Sequence, residues 1–558
     1  MRNLYTRMLL GLLAMLCGVF SYAQISVTAT AGTTGPTTYT TLKGAFDAIN
    51  AGTHQGDITI SVTASTTETG EDSLVASGTG AASYSSILIK PAAGVTATIS
   101  GNISSFLLEF NGADNVTIDG SNTVGGTTKD LTFENTHNTG TTIFLNNSAS
   151  NNVIKNTILR SGGSGGAAVI AIGFAAGALP TGNDANIIEN NDITGLAAGT
   201  GPSFGIFNLG TAGKPNTGNI IRNNRIFDFN GQGYQDGDGA NPIGYSNNTL
   251  IEGNEFFHTT ARTASTRAIL LISLGVSNMM ISKNFIHDIN STVATSTSLV
   301  AGIQVYDVGS VTISNNMILM NQASTPGSVF GILQEAAAGA TVAVYHNTVL
   351  VSGTASGVQE SAAFQKDWSS AGDDVRNNIF VNTRITSGTG GQYAITNVSS
   401  GGSAGTMSSN YNNLVSTGSA NNHVGASATT NYTTLASWQA ASSGDANSVN
   451  IDPVFASATD LHLTPASNSA LDNLGTPIAT VTTDIDGDAR SATTPDMGAD
   501  EFSAGPPCDI TITTQPSAQA ACTGNNVTFT VAATTGTGTL TYQWRRNGAN
   551  IAGATSAS

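Results

Sequence analysis

The chain has 558 residues, a formal net charge of −17 and only 10% charged residues, alongside 64 glycines. It is too long for one compact core and suits an elongated domain with additions. Too few Lys and Arg are clustered to hold nucleic acid or an anionic membrane, or to grip an acidic polysaccharide unaided, and the regular recurrence of Ile, Val, Leu and Phe excludes a disordered chain.

Residues 1–23 read as a secretory signal peptide. Arg2 and Arg7 lead an apolar run from Met8 to Phe20, and Ser21-Tyr22-Ala23 offers a cleavage site before Gln24. No later run is long and apolar enough to span a bilayer. The expected compartment is therefore extracellular or the outer cell surface. Only Cys508 and Cys522 follow Cys17, so the main body must be stable without a disulfide.

Residues 24–110 are predicted to hold the N-terminal cap and first strands. Within "YTTLKGAFDAIN", Leu42, Ala45, Phe46 and Ile49 share one helical face, as suits a helix covering the end of a sheet stack. Strands resume at "GADNVTIDGSN" and "KDLTFENT", the first laps of a repeat predicted over 111–445.

That repeat has the template apolar-x-x-Asn-x-apolar. It occurs around Asn156, Asn191, Asn224, Asn254, Asn284, Asn316, Asn347 and Asn378, a period of about 31 residues that marks a solenoid. The segments lack the apolar i, i+3, i+4, i+7 pattern of helical repeats and the Leu series of leucine-rich repeats. A parallel β-helix with one lap per repeat remains, its strands about 4.8 Å apart. Each Asn is placed at a bend, in left-handed geometry, stacked on the next as an amide ladder. Outward positions alternate in charge: Glu189, Arg222, Glu252 on one column and Asp192, Arg225, Glu255 on another.

After the repeat come "NIDPVFASATDLHLTPASNSALD" and "DIDGDARSATTPDMGADEF", assigned to a closing segment over 446–503. With the Asn template and the cap helix, these resemble the large secreted right-handed β-helix proteins of bacteria in the pectin-lyase-like superfamily. The resemblance covers residues 37–502. It implies an all-β, right-handed parallel β-helix in an extracellular setting; relatives are polysaccharide lyases, glycoside hydrolases, or surface and adhesive proteins. Residues 504–558 look like the start of an Ig-like module, with "VTFTV" as one strand and Trp544 of "YQW" as a core residue. The later strands are missing, so this β-sandwich segment is expected to be incomplete and the sequence a piece of a longer protein.

The fourth position after the template Asn reads Arg160, Gly195, Asp228, His258, Asp288, Met320. Asp228, His258 and Asp288 on consecutive laps would stack closely, as a general acid–base set or a cation site. Arg262 and Arg267 are the nearest basic residues, and Asp236 and Asp238 lie on a loop from the same lap as Asp228. Lyases of this fold typically use calcium held by carboxylates with an Arg or Lys base, and related hydrolases a cluster of Asp; neither motif matches here in register. Asp484, Asp486 and Asp488 alternate as in the start of an EF-hand loop, so calcium is the candidate ion. Ala489 and Pro495 depart from that loop, and the favoured role is structural, Asp484 with Arg490 and Asp496 or Glu501 tying down the last turn. The expected function is binding of a polysaccharide or cell-surface glycan, or adhesion, by a monomer and without catalysis; the alternative is a polysaccharide lyase or glycoside hydrolase.

Overall fold

The computed structural model describes residues 23–163, 165–173, 181–196, 201–238, 245–273, 275–292, 298–325, 327–336, 339–355, 358–367, 372–386, 388–398, 405–503, 510–535 and 539–558. The signal-peptide reading, except for Ala23, lies outside these residues, as does Cys508.

Each lap of the repeat lays one strand on each of three sheets, which have 14, 13 and 13 strands. Pairing is parallel except at the ends. Ile25–Gly32 pairs antiparallel with Thr37–Tyr39 and His54–Val62, and Asn422–Ser427 pairs antiparallel with Thr430–Tyr432. The result is an all-β parallel solenoid of about 11 turns. Its interior consists of columns of β-branched and aromatic residues in strict register. Ile188, Ile221, Ile251, Ile281, Ile313, Val344 and Val375 stack on the first sheet. Ile193, Ile226, Phe256, Ile286, Ile318, Val349 and Phe380 stack on the second. All are buried. Parallel strands need both faces supported, and a closed lap supplies the inner face from its own other two strands.

Between the first and second sheets the chain bends at the template Asn. The bend uses two residues. The one before the ladder Asn takes the left-handed conformation: Asn190, Asn223, Lys283, Asn315, His346 and Asn377 all have φ between 52° and 62° or within a degree of it. The ladder Asn itself turns inward. This corrects the sequence expectation, which placed the left-handed geometry on the ladder Asn. Asn254 shows the bonding. Its Oδ1 accepts from the backbone N–H and the Nδ2 of Asn224, both at 3.0 Å. Its Nδ2 donates to Ile221 O at 2.9 Å and to Asn284 Oδ1 at 3.0 Å. The pattern runs from Asn191 to Asn412. Asn156 is a second correction: it is left-handed at φ 57° and bonds Asp119 and Asn190, while Thr157 takes the ladder place against Asn191. A shorter ladder, Asn152, Asn186 and Asn219, lies at the other end of the first-sheet strands. On the outside, Glu189 meets Arg222 at 2.6 Å, and Arg225 bridges Glu255 at 3.0 Å and Asp192 at 3.6 Å, as the charge columns anticipate.

Helix α1, Leu42–Asn50, buries Leu42, Ala45, Phe46 and Ile49. Thr41 Oγ1 accepts from Gly44 N, and the Glu68 carboxylate accepts from the N–H groups of Leu42 and Lys43, satisfying donors that a helix start leaves open. Asp72 lies fully buried beside Glu68. At the far end of the ladder, Asp445 accepts from Asn412, Ser409, Ser448 and the Trp438 indole. Trp438 is the buried residue of helix α2, Leu435–Ser442.

Residues 474–501 belong with the solenoid, whereas 452–473 group with 502–558 in a second unit. In that unit Phe455–Ser457 pairs with Asp460–Leu463, and Ile510–Thr514 pairs antiparallel with Ala532–Thr535. The strand expected at "VTFTV" thus falls one step later in the chain, at Ala532–Thr535.

Two outcomes follow from the fold. Asn284→Ala strips two buried N–H donors of Asn254 and two carbonyl-type acceptors of their partners and is expected to cost about 3 kcal/mol, whereas Lys283→Gly, at φ 57°, stays within about 1 kcal/mol of the parent because glycine relieves the left-handed strain. Urea unfolding midpoints of the two variants check the ordering. Burial and then the Glu68 charge raise the Asp72 pKa from 3.8 to about 9. The folded state therefore holds that proton more tightly than the unfolded chain. The linked stability is complete below about pH 4 and is lost as pH rises toward about 9. Asp72→Asn, which stays neutral, is expected to flatten the decline in unfolding free energy between about pH 5 and about pH 8.

Candidate functional site

The three residues of the sequence-derived column lie just past the ends of second-sheet strands Arg225–Phe227, Glu255–Phe257 and Phe285–His287. Just past the strand Asp228 and Asp288 are left-handed, with φ 58° and 51°, and His258 is not. The three side chains have different partners. Asp228 accepts from Thr259 N at 2.9 Å, from Thr259 Oγ1 at 2.6 Å and from Arg262 Nη2. Arg262 is 1% exposed, and its Nε and Nη1 have no partner. His258 is buried, with Phe229 edge-on to its ring at 4.5 Å and no partner for Nε2. Burial, then the Arg262 charge, lowers its pKa to about 3, outweighing the pull of Asp228 and Asp288. Asp288 is bonded to His287 Nδ1 at 2.8 Å and accepts from Asn321 Nδ2 at 2.8 Å. Burial opposes protonation of His287, but its bonds to Glu255 and Asp288 prevail and raise its pKa. The structure brings the column to one edge of the second sheet, yet among the described residues no hydrogen bond joins His258 to either carboxylate. The arrangement binds one lap's turn to the next.

Asp484, Asp486 and Asp488 also separate. Asp484 is buried; its Oδ1 accepts from the N–H groups of Gly487 and Asp488, and its Oδ2 from Glu501 N. Asp486 and Asp488 are exposed. A cation between the three would have to displace N–H donors already in place, so the trio does not fit a calcium site. The segment is instead held to the solenoid's left-handed column. Asn315 exchanges bonds with Thr483 and Arg490, His346 Nδ1 bonds Asp496 O, and Asn377 bonds both ways with Thr476. Arg490 pairs with Glu501 at 3.1 Å.

A different site emerges on the outer face of the third sheet. Strands Leu299–Asp307, Ser328–Gln334, Ser361–Lys366 and Gln392–Asn397 carry Ala301, Phe330, Ala362 and Tyr393 outward in one row and Gln304, Leu333, Gln365 and Thr396 in the next. Phe330, Leu333 and Tyr393 form an apolar cluster outside the lumen. Over Phe330 and Leu333 lies a groove of about 280 Å³ edged by Ser298, Ser328, Glu335, Glu360, Gln365 and Asp367. Arg267 Nε donates to Gln304 Oε1 at 2.6 Å, and Gln304 Nε2 donates to Glu335, a polar chain across three laps. Gln365 is only 3% exposed, and its Oε1 has no partner among the described residues. Burial first, and then Glu335 and Glu360, raise Asp367 to about 6; burial also raises Glu360. Perturbed carboxyls in a concave site are the usual mark of function. The Asn template gave no view of this face. The available signal was "ILQE" and "FQKD", two successive third-sheet strands ending in an acid.

No protein-family model matches the chain, and no curated protein is similar to it.

Removing one partner of a buried ion pair strands the other. Asp228→Ala is therefore expected to destabilise the protein by about 3–5 kcal/mol, read as a lowered urea midpoint, and the double variant with Arg262→Met to recover most of that loss.

Proposed function

We propose that the chain is an extracellular β-solenoid that holds a glycan on the outer face of its third sheet without turning it over. The observation that carries this reading is the groove itself: an apolar floor of Phe330 and Leu333 under a rim of hydroxyl, amide and carboxylate groups repeated from lap to lap. Sugars present alternating C–H and O–H surfaces, which such a floor and rim complement. A stack of laps also repeats these contacts along an extended ligand. On this reading residues 1–23 direct export, α1 seals the first turn of a right-handed solenoid of the pectin-lyase-like kind, residues 504–558 begin an Ig-like module, and the whole serves attachment at the cell surface.

A second reading, glycoside hydrolysis, draws on the same groove. Asp367, raised to about 6 by burial and then by the neighbouring Glu335 and Glu360, has the raised pKa of a proton donor. Hydrolysis further requires two carboxyls about 5–5.5 Å or about 6.5–9.5 Å apart across the scissile bond. The column of Asp228, His258 and Asp288 supports catalysis less, because Asp228 is taken up by Arg262 and His258 stays neutral.

Affinity electrophoresis of the purified chain through a panel of polysaccharides separates the two. Binding predicts retardation with no new reducing or unsaturated ends, weakened about tenfold by Gln365→Leu, as loss of a buried hydrogen-bonding group would do. New ends that vanish in Asp367→Asn would instead establish hydrolysis or elimination, and passage of every glycan unretarded would reject a carbohydrate role.

A further inference from the structure

We propose that the third-sheet groove selects saccharides bearing free amines over their neutral or acidic counterparts, an inference that rests on the glycan reading above. The groove sets three carboxylates, Glu335, Glu360 and Asp367, around a floor large enough for a sugar ring, about 280 Å³. The charged groups facing them from the neighbouring laps are few. Arg267 lies two laps away and reaches Glu335 through the Gln304 amide. Lys366, the neighbour of Gln365 on the same strand, turns into the lumen, where it is fully buried against Asp373. His423 stacks on Tyr393 at 5.5 Å, and burial lowers its pKa. The like charges of Glu335 and Glu360 act on Asp367, and among the described residues no ion pair involves Glu360 or Asp367.

Gln365 supplies the second observation. Its side chain is almost wholly buried in the groove wall, its Nε2 leans on Glu360 at 3.5 Å, and its Oε1 accepts nothing. A buried carbonyl oxygen without a donor is costly. Among the described residues, two groove carboxylates, Glu360 and Asp367, have no ion-pair partner, and the Gln365 amide oxygen has no N–H donor. An alkylammonium answers both, since it carries positive charge and three donors. A uronate would add a fourth carboxylate to the cluster and is repelled. The volume suits an amino-sugar residue, and the apolar floor suits its C–H face.

The decisive comparison is a chito-oligosaccharide against its de-N-acetylated form, which differ in charge and share a backbone. Isothermal titration with the full chain is expected to show the free-amine oligomer binding at least tenfold more tightly, with the preference shrinking as salt rises. Glu360→Gln and Asp367→Asn should each reduce the preference several-fold, while Asp228→Asn, outside the groove, leaves it unchanged; thermal melts of each variant check folding. An oligogalacturonate should not bind, with or without calcium. Equal affinity for the two chito-oligosaccharides would overturn the amine preference and leave the glycan reading standing. No binding of any oligosaccharide would overturn both. Free-amine binding that spermidine displaces as well as glucosamine oligomers do would assign the groove to polyamines and overturn the saccharide selectivity.

Discussion

The structure depends on a buried amide bonding to its counterpart one lap later. A parallel lap returns the backbone to within one strand spacing of where it began, but nothing in strand pairing alone fixes where the chain should bend. The ladder asparagines supply that constraint. Each accepts twice at its side-chain oxygen from the previous lap's asparagine and donates one N–H to a carbonyl of the previous lap and the other to the next lap's asparagine. A one-residue slip would leave several buried polar groups unpaired at once, a penalty of a few kcal/mol per lap. The hydrophobic columns then follow, because a fixed bend puts the same strand positions inward on every turn.

The bend has two faces, and the protein uses both. The inward face carries the ladder. The outward, left-handed face presents Asn315, His346 and Asn377, which grip residues 476–498. Asp484 and Glu501 organise that segment by accepting backbone N–H groups, so its acidic character is absorbed in holding the chain down. The ladder also ends deliberately: Asp445 receives the last amide together with a Trp438 N–H. Long stretches of this molecule therefore use carboxylates as hydrogen-bond acceptors for structure.

The lap period and the inward columns were legible because they repeat. The bend was legible only to within a residue. Paired asparagines such as Asn190-Asn191 and Asn223-Asn224 hide which of the two turns left-handed and which turns inward. At Asn156-Thr157 the ladder position passes to Thr157, so matching on Asn alone chose the wrong residue there. The column of Asp228, His258 and Asp288 shows a related limit. Backbone stacking is set by the laps, but beyond the strand end φ differs from lap to lap, and side chains aligned in sequence face different partners. The groove was illegible because the third strand follows loops of unequal length, which erase any fixed offset from the Asn.

Native-state hydrogen exchange at the backbone amides of Asn224, Asn254, Asn284, Asn316 and Asn347 tests the central claim most directly. Each of these N–H groups donates to the side-chain oxygen of the next ladder asparagine. The account predicts that all five exchange slowly, with similar protection, and only through opening of whole laps. Fast, independent exchange at these positions, comparable to that of surface turns, would contradict it.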